Sequence, residues 1–154
     1  MNIRQILKLD SVIQERFKLI AINSGLKIYS LAYQLNRFCF TNFSRSKKDV
    51  LVNNLGLIPH FKWVNEKKGI DFELFPNKYK IENYDNKPND SLFSISDSKE
   101  LYLIDSLKQV DYLIKQNCFF STTNLIKKMS NIPTVSISYK IPEKNIDENF
   151  NLDL

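Results

Sequence analysis

The alternation of apolar and polar residues in the last third of the chain is the feature that most constrains its fold. Residues 134–141 read Thr-Val-Ser-Ile-Ser-Tyr-Lys-Ile, and this clean alternation predicts a strand. The apolar run Val110–Lys115 predicts another strand. Between the two, Ser121-Thr122 predicts the N-terminal cap of a helix over Thr123–Ser130. This third of the chain therefore predicts a strand–helix–strand unit.

A similar unit begins near the N-terminus. Phe17–Asn23 is almost continuously apolar and β-branched, which predicts a strand, and Gly25 follows as a chain breaker. From Lys27 to Phe38 the apolar residues recur at helical spacing, so we expect an amphipathic helix that packs on a sheet. Ser24 is the predicted N-cap of that helix.

The middle of the chain predicts a β-hairpin. His60–Val64 and Ile70–Phe75 alternate and are separated by Asn-Glu-Lys-Lys-Gly, in which Gly69 supplies the positive φ of the turn. Residues Thr41–Leu57 show no clear hydrophobic periodicity, so the sequence does not decide between strand and helix there. Short edge strands are predicted at Gln5–Leu9, where a helical turn is the alternative, and at 91–95.

These elements follow one another in the order β-α-β-β-α-β with insertions. We therefore predict an α+β fold of the ferredoxin-like (split βαβ) type, with a mostly antiparallel sheet, two main helices on one face and extra edge strands. The 154 residues, 43% of them hydrophobic, suit a single domain over 1–154. Residues 77–90 are rich in Asn, Lys, Asp and Pro, which predicts a flexible surface insertion.

One short segment resembles a known family motif. It comprises six consecutive residues, Leu107, Lys108, Gln109, Val110, Asp111 and Tyr112. The chain is similar here to a bacterial family named after the motif Ile-Pro-Glu-x-x-x-Val-Asp-Tyr (the IPExxxVDY family), although Asp105-Ser106 stands where that motif has Pro-Glu. The resemblance extends to the early Phe17–Leu26 pattern and to Ile132-Pro133 with the residues that follow it.

The resemblance implies a related family and a fold but no catalytic or binding activity, because the family has no assigned activity. The departure at Asp105-Ser106 argues against a chemical role for the motif glutamate. Asp111 is expected to have a structural role, such as fixing the preceding turn, and a ligand contact is the alternative. Tyr112 is expected to be a strand aromatic.

Several kinds of site are excluded or disfavoured by composition. With one histidine, His60, and two distant cysteines, Cys39 and Cys118, the chain cannot form the usual His and Cys zinc sites, and we expect neither a metal nor a cofactor. The three glycines form no phosphate-binding loop. His60 has no evident Ser or Cys partner, so a half-buried imidazole is favoured over a general base. We expect reduced thiols, no membrane segment and a cytoplasmic protein.

The basic charge leaves two interpretations open. Lys and Arg exceed Asp and Glu by five, which could attract RNA. The chain also has 17 Asn and only 2 Ala, a bias typical of AT-rich genomes, so the lysine excess partly reflects codon usage. Aromatic and basic residues alternate at five positions that are candidates for contact with RNA or a protein: Phe61, Lys62, Trp63, Lys78 and Tyr79.

Three hypotheses for function follow. The first is a non-catalytic protein-interaction or regulatory module that binds another protein or its own copy, since no catalytic constellation can be assembled from the sequence. The alternative is an RNA- or ribosome-associated accessory protein. The third is an enzyme based on carboxylates, for which no site can be located in the sequence.

Overall fold

The structure is a computed structural model that describes residues 17–52, 56–82 and 98–146. The predicted edge segments at 5–9 and 91–95 lie outside these ranges. The chain order of helices and strands is β1 (Lys18–Ser24), α1 (Ile28–Cys39), β2 (Ser44–Arg45), β3 (Val50–Val52), β4 (Gly56–Ile58), β5 (Phe61–Asn65), β6 (Ile70–Pro76), β7 (Lys78–Glu82), β8 (Ser98–Tyr102), β9 (Tyr112–Gln116), α2 (Thr122–Met129) and β10 (Val135–Lys140).

Six strands form the main sheet in the order β10-β1-β9-β6-β5-β2, and every neighbouring pair is antiparallel. The predicted α+β class, with a mostly antiparallel sheet and two helices, is confirmed. Two separate two-stranded antiparallel sheets, β3-β4 and β7-β8, accompany the main sheet. The ferredoxin-like assignment itself stays a prediction.

Both helices pack on one face of the sheet, as predicted. The helical spacing of α1 places four of its residues in the core, and α2 adds two more. They share one apolar cluster with sheet side chains that include Ile20, Ile22, Phe72, Leu74 and Ile114. In the described ranges no helix is long and apolar enough to cross a membrane, and the longer of the two, α1, has 12 residues.

The opposite face of the sheet is also buried. Leu19, Ala21, Phe75 and Leu113 point to this side and pack against residues of the two small sheets and of the segment before β9. Burial on both faces explains why the four residues Leu19–Ile22 of β1 are all apolar, because such strands do not need a polar face.

The prediction of a flexible surface insertion over 77–90 is wrong for the first residues of that range. Asn77 is fully buried, and the following residues form β7, which pairs with β8 and buries Tyr79. Residues 83–90 lie outside the described ranges. The prediction is wrong here because Asn and Lys in sequence do not reveal that a buried amide can bond backbone groups far along the chain.

Two smaller predictions also need correction. Ser24 does not cap α1: the cap position is Lys27, without a side-chain hydrogen bond, while the Ser24 hydroxyl donates to Thr134 O at 2.8 Å. The strand expected from Val110 begins two residues later, at Tyr112. By contrast, the predicted cap of α2 is confirmed, because Ser121 Oγ accepts from the Asn124 N–H.

Candidate anion-binding cleft

A row of three charged side chains crosses the sheet on the face opposite the helices. Lys62 on β5, Glu73 on β6 and Lys115 on β9 stand directly opposite one another in the antiparallel register. The Glu73 carboxylate is 3.2 Å from Lys62 Nζ and 3.8 Å from Lys115 Nζ. Glu73 is only 4% exposed, so the two ammonium groups compensate a buried negative charge.

Two more polar groups reach the same carboxylate. Asn117 Nδ2 donates to Glu73 Oε2 at 3.3 Å, and His60 Nε2 lies 3.6 Å from Oε1. Burial by itself raises the pKa of Glu73, but the donors on His60 and Lys62 and the positive charge of Lys115 outweigh it and lower the pKa from 4.5 to about 2. The carboxylate is therefore ionised at neutral pH.

His60 connects this carboxylate to a serine hydroxyl. The imidazole is 2% exposed and sits just before β5, with Nδ1 3.1 Å from Ser46 Oγ. Nε2 faces Glu73 at a distance too long for a hydrogen bond, and it has no hydrogen-bond partner within the described residues. Because an ionised carboxylate can only accept, the favoured tautomer carries its proton on Nε2, which leaves Nδ1 to accept from the Ser46 hydroxyl.

Ser46 and His60 line an open cleft of about 590 Å³ between the segment 44–51 and the start of β5. We call it the basic cleft, because four of the side chains that line it are cations: Arg45, Lys47, Lys48 and Lys62. The single acid in its lining, Asp49, is bound to Arg45 in a short ion pair. The surplus of positive charge suits an anionic ligand.

The motif that carries the family resemblance lies elsewhere, at the junction of β1 and α1. The Asp111 carboxylate accepts the Ser24 N–H at 3.0 Å and pairs with Lys78 Nζ at 3.2 Å. The Tyr112 hydroxyl donates to Leu26 O in a short hydrogen bond. These contacts tie β9 to the turn that leads into α1, which fits the structural role predicted for Asp111 but places it at a different turn.

The four motif residues before Asp111 form the approach to β9. Leu107 and Val110 are buried, whereas Lys108 and Gln109 are exposed. Asn77 holds this approach in place, since its Nδ2 donates to the carbonyls of Leu107 and Val110. The motif therefore acts on the fold and does not reach the basic cleft.

The five residues predicted to contact RNA or a protein do not form one surface. Phe61 and Tyr79 are buried at 7% and 6% exposure, in clusters on opposite faces of the sheet. Trp63 is half-buried on the helix face, whereas Lys62 lies on the other face, in the basic cleft. Lys78 pairs with Asp111. The prediction of an interleaved stacking surface is therefore wrong, because alternate residues of a strand point to opposite faces.

Sequence reasoning missed the partners of His60. One of these partners, Glu73, could have been placed near β5 from the predicted hairpin. A turn that pairs Asn65 with Ile70 brings residues 62 and 73 opposite each other. No comparable signal points to Ser46, which is positioned by the two-residue strand β2 and by a backbone hydrogen bond to His60 O at 2.8 Å.

Comparisons of the chain with protein-family models, curated proteins and solved structures give no match. The resemblance to the IPExxxVDY family stays a prediction. In the part of the chain that the structure describes, no three His, Cys, Asp or Glu side chains are placed to hold a metal ion.

Proposed function

We propose that the protein is a binding module for a small phosphate-bearing molecule, held in the basic cleft. The observation that supports this is the charge of the lining, in which four cationic side chains face a single acid that is already paired with Arg45. A cleft of about 590 Å³ is within the range of small-molecule sites, roughly 300–1,000 Å³.

The cations of the cleft differ in how free they are to bind. Lys62 is engaged by Glu73, and Arg45 by Asp49. Lys47 and Lys48 are exposed and have no ion pair among the described residues. These two lysines would supply the charge-assisted hydrogen bonds to phosphate oxygens, whereas Arg45 and Lys62 add a favourable field from fixed positions.

The proposed function is still a binding module, as the sequence favours, and it adds that the ligand is an anion. The backbone of RNA carries the same phosphate chemistry as a small metabolite, so RNA is one outcome of the test. A protein partner and self-association stay predictions without a site in the described residues.

The proposal is tested by calorimetric titration with pyrophosphate at low and moderate salt. Replacing Lys47 and Lys48 together by Gln should weaken binding by at least about tenfold, since each lost phosphate contact costs on the order of 1 kcal/mol. The matched control replaces Lys67 and Lys68, an adjacent pair in the turn between β5 and β6, and should change affinity by less than about twofold.

A second arm of the titration uses a short single-stranded RNA. RNA binding without pyrophosphate binding, reduced equally by both lysine pairs, would show diffuse attraction and overturn the cleft as the site. Pyrophosphate binding that depends on residues 47 and 48 supports the proposal whether or not RNA also binds. Absence of binding by either ligand at low salt would refute it.

A further inference from the structure

We propose that Ser46 is a nucleophile activated by His60, and that the basic cleft hydrolyses a carboxylic ester that carries an anionic group. Glu73 is the positioning residue that orients the imidazole. The identity of the substrate as an anion rests on the proposed function, whereas the activation of Ser46 does not.

The geometry is that of an activated nucleophile, in which a hydroxyl, a base and an orienting group stand in line. Ser46 Oγ is 3.1 Å from His60 Nδ1, and His60 Nε2 is 3.6 Å from Glu73 Oε1. The first distance is short enough for proton transfer between the hydroxyl and the imidazole. The second, between the imidazole and the carboxylate, is longer than a hydrogen bond, as is common in active sites without bound substrate. Ser46 lines the basic cleft, so this residue borders the space that a ligand would occupy.

Each part of the arrangement has a defined state that suits this role. The Glu73 carboxylate stays negative because Lys62 and Lys115 flank it, and it can therefore stabilise an imidazolium when one forms. The imidazole is almost fully buried, which fixes its orientation. Lys47 and Lys48 line the same cleft as Ser46, and their positive charge favours the negative charge that develops on the carbonyl oxygen.

The backbone of this segment does not need the hydroxyl to hold its position. Ser46 N–H already donates to His60 O at 2.8 Å, and that bond would hold the segment after β2 with any residue at position 46. A buried, charged carboxylate is also costly compared with an apolar residue at the same place. The side-chain contacts therefore point to chemistry beyond the packing of the hairpin.

The reaction proceeds in two balanced steps. First, Ser46 Oγ bonds to the carbonyl carbon while its proton passes to His60 Nδ1, the ester C–O bond breaks, and the leaving alkoxide takes that proton. Then water attacks the acyl group and gives its proton to His60, and the Oγ–acyl bond breaks. Ser46 recovers a proton from His60, and the acid is released.

The test is covalent labelling of the intact protein with a fluorophosphonate, followed by peptide mapping. Ser46 Oγ bonds to phosphorus, the P–F bond breaks, and fluoride leaves as His60 takes the proton. One adduct is expected at Ser46, and its rate should fall by about 100-fold in His60→Gln, the usual contribution of a general base. Ser130→Ala, which removes an exposed hydroxyl on the far end of α2, should label like the wild type.

Glu73→Gln tests the positioning role. The labelling rate should fall and its dependence on pH should change, whereas the fluorescence of Trp63 should report an intact fold. A purely structural role of Glu73 would lower the stability without altering the pH profile of the molecules that stay folded. An adduct that forms equally on Ser44, or none on Ser46, would overturn the nucleophile.

The outcomes for this inference and for the proposed function can be separated in the wild-type protein. Pyrophosphate binding without labelling of Ser46 overturns the nucleophile and leaves the binding module standing. Labelling of Ser46 without pyrophosphate binding supports the nucleophile and overturns the anionic substrate together with the proposed function.

Discussion

Replacing Asn77 by Ala should cost a large part of the stability of this protein. The side chain is fully buried and makes three hydrogen bonds: Nδ2 donates to Leu107 O at 2.9 Å and to Val110 O at 3.1 Å, and Oδ1 accepts from Ile104 N at 3.0 Å. Leu107 O keeps a second donor, the Val110 N–H at 2.9 Å. Within the described residues, the Ile104 N–H and the Val110 C=O have no other partner.

The magnitude follows from those two backbone groups. Leaving a buried polar group without a partner costs about 1–3 kcal/mol, so two of them predict a loss of about 4 kcal/mol in the free energy of unfolding. Domains of this size are stable by only about 5–15 kcal/mol. The matched control is Asn65→Ala, which removes a single bond to Lys68 N–H in an exposed turn and should cost about 1 kcal/mol.

Urea denaturation followed by tryptophan fluorescence measures both variants. Trp63 is the only tryptophan, and its ring stacks on Phe72 with centroids 5.3 Å apart, so its emission reports the core directly. If Asn77→Ala loses no more than Asn65→Ala, the argument that Asn77 fixes the approach to β9 is refuted.

Three further predictions concern other parts of the fold. Gly56→Ala should destabilise by about 1–3 kcal/mol, since a Cβ there would lie 2.9 Å from the buried ring of Tyr79, whereas Gly25→Ala meets nothing within 4 Å and should cost less; thermal melts compare the two. Because the pKa of Glu73 is lowered to about 2, the stability it contributes is complete above about pH 4.5 and is lost as the pH falls towards 2; Glu73→Gln should flatten the plot of urea midpoint against pH in that window. Phe40→Gly should stabilise by about 1 kcal/mol, because Phe40 ends α1 at a φ of 57° with 78% of its surface exposed; urea denaturation measures the gain.

Each of these three has an outcome that contradicts it. Equal melting temperatures for the two glycine variants would show that β4 and β7 do not pack as closely as the structure places them. An unchanged acid slope in Glu73→Gln would mean that the carboxylate titrates normally. A gain of the same size in Phe119→Gly, at an exposed residue without positive φ, would show that backbone strain at Phe40 is not the cause.

The elements that were predicted correctly from sequence are those whose pattern is local. The alternation in β10 and the apolar residues of β1 predict strands, the helical spacing of α1 predicts its buried residues, and the β5-β6 hairpin follows from two alternating runs around Gly69. Such patterns need no knowledge of distant residues, because the period alone indicates the type of element.

The second buried face and the basic cleft depend on contacts between distant segments. Asn77 is buried because it bonds carbonyls about 30 residues later, and nothing in its neighbours shows this. Ser46 meets His60 only because β2 pairs with β5 through two residues. Hydrophobic periodicity does not encode such a pairing, so the candidate site had to come from the structure.

Chemical-shift mapping shows whether the basic cleft binds a phosphate-bearing anion. Pyrophosphate would be added to ¹⁵N-labelled protein while the backbone amides are observed. We expect saturable shifts confined to residues 44–51 and His60, with little change at Lys67 and Lys68. Shifts spread evenly over exposed lysines, or no shifts in the 44–51 segment, would contradict it.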